Sequence, residues 1–136
     1  MTLTNITIDN INTTAIHYFP PLCNGTGWNQ NGAFTQFAFS QTYTFCQGIY
    51  DARAVFKFTG IAVYFISALF QDSNSMWFHL DDRAYEEVQM KSPTGALFSS
   101  RVIWSAQNLT NTDHVLELLP GTYDGGYGYV TVDAFM

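Results

Sequence analysis

Between residues 53 and 70 the chain reads as two β-type runs joined at Thr59 and Gly60. In the first, apolar Ala54, Phe56 and Phe58 alternate with Arg53, Val55 and Lys57, which puts the two sets on opposite faces of a strand. The second, residues 61–70, has no polar face, and a strand apolar on both sides belongs inside a sheet. The same reading predicts strands at 5–9, 17–19, 42–45, 76–80, 86–90, 97–104, 115–119 and 127–135. Turn chemistry separates them, for example at Asp81 and Asp82, at Ser92, Pro93, Thr94 and Gly95, and at Pro120 and Gly121. About eight to ten short strands at this spacing predict an all-β fold, a β-sandwich or jelly roll of antiparallel strands. The first two strands read as an edge hairpin whose second member stops at Pro20 and Pro21. Residues 20–36, rich in Gly, Asn and Pro around Trp28, read as a long surface loop with Cys23 as its anchor.

Composition agrees with this pattern. The 136 residues fit one domain, residues 1–136, and 17% aromatic against 12% charged residues suits strands better than a helical bundle. The net charge is −6, and the basic residues Arg53, Lys57, Arg83, Lys91 and Arg101 are scattered, so no cationic footprint for nucleic acid or an anionic membrane exists. The longest apolar run is half the ~20 residues that a membrane helix needs, so this segment does not insert into a bilayer.

Cys23 and Cys46 are compatible with one disulfide or with two thiols. If they pair, the bridge closes a loop of about two dozen residues, worth about 3 kcal/mol through loop-closure entropy. Four Asn-x-Ser/Thr sequons, at Asn5, Asn12, Asn24 and Asn108, sit in polar segments and tilt the expectation toward an extracellular or cell-surface location. Residues 1–5 lack the charged start and apolar core of a signal peptide.

Several strand patterns together look familiar: Ile6, Thr7, Ile8 and Asp9; Gly27 and Trp28; the run from Ala54 to Tyr64; Phe78, His79, Leu80 and Asp81; Asn108 with His114 and Val115; and Val130 to Phe135. Their order resembles the jelly-roll ectodomains of mushroom-forming fungi, which are similar in architecture to galactose-binding-like domains. The resemblance implies a surface module, secreted or set before a stalk and a membrane anchor. Asp81, Asp82 and Arg83 stand where that group carries a glycine turn.

No nucleophile elbow, metal-binding His pair or phosphate loop is present, so the expectation is a non-enzymatic protein without cofactor. His79 and Asp81, two apart on one strand, would share a face and leave a hydrolytic site conceivable, whereas His114 reads as a hydrogen-bonded histidine at the sandwich rim. Asp81, Asp82, Asp124 and Asp133 are weak calcium candidates, because no Asp-x-Asp-x-Asp spacing occurs. The strongest hint is aromatic. Sugar rings stack on Trp and Tyr while Asp, Asn or Gln bond their hydroxyls, and Trp28 (beside Asn29, Gln30 and Asn31), Tyr50, Trp77, Tyr85, Tyr123 and Tyr127 stand at loop or polar-face positions. Carbohydrate recognition, with a glycan or cell-wall polysaccharide as partner, is the favoured expectation. The alternatives are a self-assembling coat or filament subunit, since few charges guard the edge strands, and an accessory domain of a carbohydrate esterase.

Overall fold

The computed structural model describes residues 2–23, 25–30, 36, 38–47, 49–69, 74–94, 98–123 and 126–136. The strands in chain order are β1 (Ile8–Asp9), β2 (Ile16–Phe19), β3 (Leu22–Cys23), β4 (Thr26–Gly27), β5 (Thr44–Gln47), β6 (Arg53–Gly60) and β7 (Val63–Leu69), followed by β8 (Asn74–Leu80), β9 (Glu86–Gln89), β10 (Phe98–Ala106), β11 (Thr112–Tyr123), β12 (Gly126–Tyr127), β13 (Tyr129–Val132) and β14 (Ala134–Phe135). Among the described residues there is no α-helix, and Phe39–Gln41 form a short 3-10 turn.

Two antiparallel sheets form the sandwich. The smaller runs β1-β14-β7-β10; the larger runs β2-β6-β11-β8-β9, with β12 attached to β11. Without β2, these are the two four-stranded layers of a jelly roll, because the chain alternates between sheets from β6 to β7, from β9 to β10 and from β10 to β11. The run with no polar face is β7, and it lies between β14 and β10 as its pattern predicts. The alternating run is β6, whose Ala54 and Phe56 are buried while Arg53 and Lys57 face solvent.

Aromatic rings join the layers. Phe56 of β6 stacks on Phe135 of β14 with centroids 4.2 Å apart, and Phe65 of β7 meets Phe78 of β8 edge-on at 5.1 Å. Each such pair contributes about 0.5–1.5 kcal/mol beyond the burial of its area.

The expected edge hairpin does not form. β1 pairs with β14 in the small sheet, and β2 pairs with β6 in the large one. Alternation says which side chains turn inward but not which strand lies alongside. Here Asn10, fully buried, carries the chain from one sheet to the other, its backbone N–H donating to Asp133 O at 2.9 Å and its side-chain amide to Thr44 Oγ1 at 2.8 Å.

The expected loop at 20–36 contains the hairpin of β3 and β4. Three devices tie it down: the Cys23–Cys46 disulfide to β5, with Cα atoms 5.7 Å apart; reciprocal backbone bonds of 2.9 Å between Asn29 and Phe45; and a 2.8 Å bond from the Trp28 indole N–H to Pro20 O. β5 in turn pairs with β13, and Asn74 accepts the Tyr129 N–H at 2.8 Å, which joins this pair to the large sheet. At the other side, β10 is the outer strand of the small sheet, and its ladder with β7 is broken by two register shifts.

Candidate functional site

Successive residues of a strand point to opposite sides, so the register of the large sheet fixes what its outer face presents. On β8 the inward residues are Met76, Phe78 and Leu80, leaving Trp77 and His79 outward. Across the sheet Trp77 lies beside Leu119 of β11 and Glu87 of β9, and His79 lies beside Glu117, which in turn adjoins Val55 of β6 and, beyond it, His17 of β2. Phe19 of β2 stands beside Arg53 of β6. One row runs from β9 to β11 and the other from β8 to β2, so together they cover the five strands, a width of about 20 Å at the usual strand spacing.

Aromatic surface and polar groups alternate on this face. Trp77 is 36% exposed, and Tyr85, just before β9, lays its ring parallel to His79 at 4.1 Å. Ser75 donates to Glu87 Oε1 at 2.7 Å and holds that carboxylate beside the indole. The Arg53 guanidinium sits 5.1 Å over the Phe19 ring, with Nη1 3.9 Å from Glu117 Oε2. An exposed pair at that distance is weak, which leaves guanidinium N–H groups and carboxylate lone pairs available to a ligand.

At the Arg53 end the face runs into a shallow groove of about 480 Å³ lined by Phe19, Pro20, Tyr50, Asp51, Arg53 and Leu119. Tyr50 is 70% exposed, and its ring centre lies 6.0 Å from that of Tyr127, itself exposed beyond β11.

The structure thus brings Trp77 and Tyr85 together on the sheet and Tyr50 and Tyr127 together at its end. Two other aromatic candidates lie elsewhere. Trp28 is half-buried against Tyr18, centroids 4.8 Å apart, with its N–H already bonded. Tyr123 is half-buried and packs on Tyr129 at 4.9 Å. Phe19, Arg53, Glu87 and Glu117 were not singled out as binding residues from sequence. Their signal is the register: each stands at an outward strand position whose neighbour is known only once β2, β6, β11, β8 and β9 are placed in order.

The pairing of His79 with Asp81 does not occur. Asp81 lies past the end of β8 at φ +52°, the left-handed region that favours glycine, and its carboxylate serves the rim instead. It accepts the Val115 N–H at 2.9 Å and faces His114 Nδ1 at 2.8 Å. His114 is buried, and its Nε2 faces Thr110 O, also at 2.8 Å. Because both ring nitrogens face acceptors, the site favours the protonated ring, in which both nitrogens donate. The Thr110 carbonyl, then Asp81, raise the His114 pKa above the usual histidine value despite its burial. Partial burial pushes the Asp81 carboxyl up, but the Val115 N–H and His114 outweigh it and hold the pKa below the ordinary carboxylate value. His114 is thus the hydrogen-bonded rim histidine that its alternation suggests.

Among the described residues no three His, Cys, Asp or Glu side chains converge on a cation position. Asp82 is exposed in the turn after β8. Asp124, Asn31 and the sequon Asn24 lie outside the described residues. Asp133 is buried between β13 and β14, accepting the Phe39 N–H at 2.8 Å and the Ser100 hydroxyl at 3.0 Å. Burial raises its pKa to about 6, with the Asp9 charge adding to the effect against the hydrogen bonds from Phe39, Ser100 and Ala68.

No family model matches the chain, and no curated protein matches it. Among solved structures its fold is similar to part of a Paenibacillus sp. cycloisomaltooligosaccharide glucanotransferase determined in complex with cycloisomaltoheptaose, with a TM-score of 0.59 at 13% identity over 98% of this chain. The match covers 18% of that larger chain, and at this identity the likeness establishes the β-sandwich fold.

Proposed function

We propose that the chain is an extracellular, non-enzymatic recognition module that holds a neutral glycan across the outer face of the large sheet and into the Arg53 groove. The supporting observation is the continuity of that surface: the indole of Trp77, the Tyr85–His79 stack, Phe19 and the Tyr50–Tyr127 pair interleave with Glu87, Glu117, Arg53 and Asp51. Flat rings receive the C–H faces of sugars, and the polar groups between them bond hydroxyls. A width of about 20 Å accommodates a short oligosaccharide rather than a single ring. A shallow, open face desolvates little area per site, so affinity at one site is low and retention on a surface needs several modules. The disulfide suits an oxidising compartment. Among the described residues no helix is long and apolar enough to cross a membrane. A similar fold within a glucanotransferase bound to a cyclic glucan is compatible with the reading. Edge-to-edge assembly through β10 is less favoured, because the two register shifts in its pairing with β7 make that edge irregular.

The test is retention on a glycan array and on insoluble fungal and plant polysaccharides. Trp77→Ala and Tyr50→Ala should each lower retention at least about tenfold, the loss expected for one stacking contact of ~1.4 kcal/mol. Trp28→Ala should lower stability and leave retention per folded molecule unchanged. Retention that survives Trp77→Ala and Tyr50→Ala combined would remove this face as the site.

A further inference from the structure

The sandwich end opposite the Arg53 groove carries a hollow whose lining mixes apolar side chains with Thr2, Thr4, Lys57, Thr59 and Asn111. It measures about 540 Å³ and lies where β6 turns into β7, with Phe58, Ile61, Met136, Leu3, Asn5 and Ile6 among its lining. Leu3 and Ile6 are each about two-thirds exposed, at 64% and 66%. With Ile61, also exposed at the same end, they put aliphatic surface around the hollow.

Every sequon among the described residues lies at this end. Asn5 is part of the lining. Asn12 accepts the N–H of Thr14 and of Ala15, both at 3.2 Å, and Ala15 lines the hollow. Asn108 is exposed and precedes Leu109, whose N–H donates to Ile61 O at 2.9 Å. The seven-residue step along β6 from Gly60 back to Arg53 separates this cluster from the groove by about 23 Å.

We propose that Asn5 is an N-glycosylation site whose glycan folds back over the hollow, so that the protein's own first sugar residues cover Phe58, Ile61 and Ile6. Asn12 and Asn108 add glycans around the same end. This inference rests on the extracellular reading above. In the modifying step, Asn5 Nδ2 forms a bond to the anomeric carbon of a lipid-pyrophosphate-linked oligosaccharide; the bond from that carbon to the pyrophosphate oxygen breaks, the lipid pyrophosphate leaves, and the amide gives up one proton. The acetamido-sugar rings present C–H faces suited to the apolar side chains of the lining, and their hydroxyls turn to water.

The experiment uses the full chain secreted from eukaryotic cells, with glycan release in heavy-oxygen water marking each occupied asparagine. Asn5 should be occupied, and Thr7→Ala, which removes the sequon but keeps Asn5, should abolish the mark there. Thr7→Ala should also raise the fluorescence of a bound hydrophobic dye about twofold and speed amide exchange at residues 58–61. Ile6→Ser combined with Thr7→Ala should reverse the dye signal. Secreted, disulfide-bonded protein with Asn5 unmodified would overturn the proposal. So would an occupied Asn5 whose loss changes neither dye binding nor exchange. Array retention should be unchanged in Thr7→Ala; failure of wild type to bind any glycan, with Asn5 occupied, counts against the outer-face reading alone.

Discussion

Replacing Asp133 by asparagine should remove most of the acid-side pH dependence of stability. In the fold burial pushes its carboxyl up to about 6, well above the usual carboxylate range, because desolvation outweighs the hydrogen bonds from Phe39, Ser100 and Ala68. A carboxyl whose folded pKa is raised favours folding when protonated. Its contribution is therefore complete below the unfolded pKa and is lost as pH rises through the folded one. Stability should fall between about pH 4 and pH 6, by about 3 kcal/mol for a shift of roughly two pH units. For a domain of this size that corresponds to a lowering of Tm by about 10 °C across the window. His114 acts in the same sense at higher pH, since its raised pKa makes its contribution disappear as pH rises through the folded value. Asp81 acts oppositely, its contribution vanishing as pH falls through its lowered pKa. Urea denaturation at half-unit steps from pH 4 to pH 7.5 reads the slope directly. Wild type should be most stable in the acid half, and Asp133→Asn should be nearly flat from pH 4 to 6. A wild-type profile that is flat or rises toward neutrality, or an Asp133→Asn profile with the slope intact, would refute the dominance of desolvation at this carboxyl.

Two further outcomes follow from packing and covalent geometry. Replacing both Cys23 and Cys46 by alanine should lower stability by about 3 kcal/mol, read as a shifted urea midpoint; an unchanged midpoint would mean that the noncovalent ties at Asn29 and Trp28 suffice. Gly121→Ala places a Cβ against Ser75 Oγ and 2.6 Å from Ser75 O, the latter a backbone atom that cannot swing aside. The cost should exceed about 2 kcal/mol in thermal or urea melts, and a variant within 0.5 kcal/mol of wild type would contradict that close approach.

Strand existence was legible because burial imposes a period of two. Arg53–Gly60, Val63–Leu69 and Asn74–Leu80 stand within a few residues of where alternation and apolar runs place them. Partnership was not legible, since β1 and β2 each have an apolar face and nothing local states that their partners are β14 and β6. The same gap governs the site. Trp77 is identifiable as an outward residue between Met76 and Phe78, but its neighbours Glu87 and Leu119 are separated from it in sequence and meet it only through register. Trp28 shows the converse limit: its loop composition suggests an exposed stacking residue, while Tyr18 and Pro20 O, brought back onto it by the β3–β4 hairpin's fold, turn it inward. Asp81 is not the partner of His79 that the spacing of two suggests, because it has left the strand at φ +52° and its carboxylate faces His114 instead.

The position of β14 bears on how the molecule is made. That strand fills the small sheet between β1 and β7, with Ala134 opposite both Asp9 and Ile66. During synthesis β1 emerges first and must wait for nearly every other strand before its partner exists. Throughout that interval one side of β7 lacks its ladder, and Phe56 and Phe65 lack the ring of Phe135 that packs on both. A nascent chain in this state displays an unpaired strand and open aromatic core, the features that holdase chaperones bind and that promote aggregation. Yield of native protein should therefore depend on how long the unfinished chain is sheltered, more than on the stability of the finished sandwich.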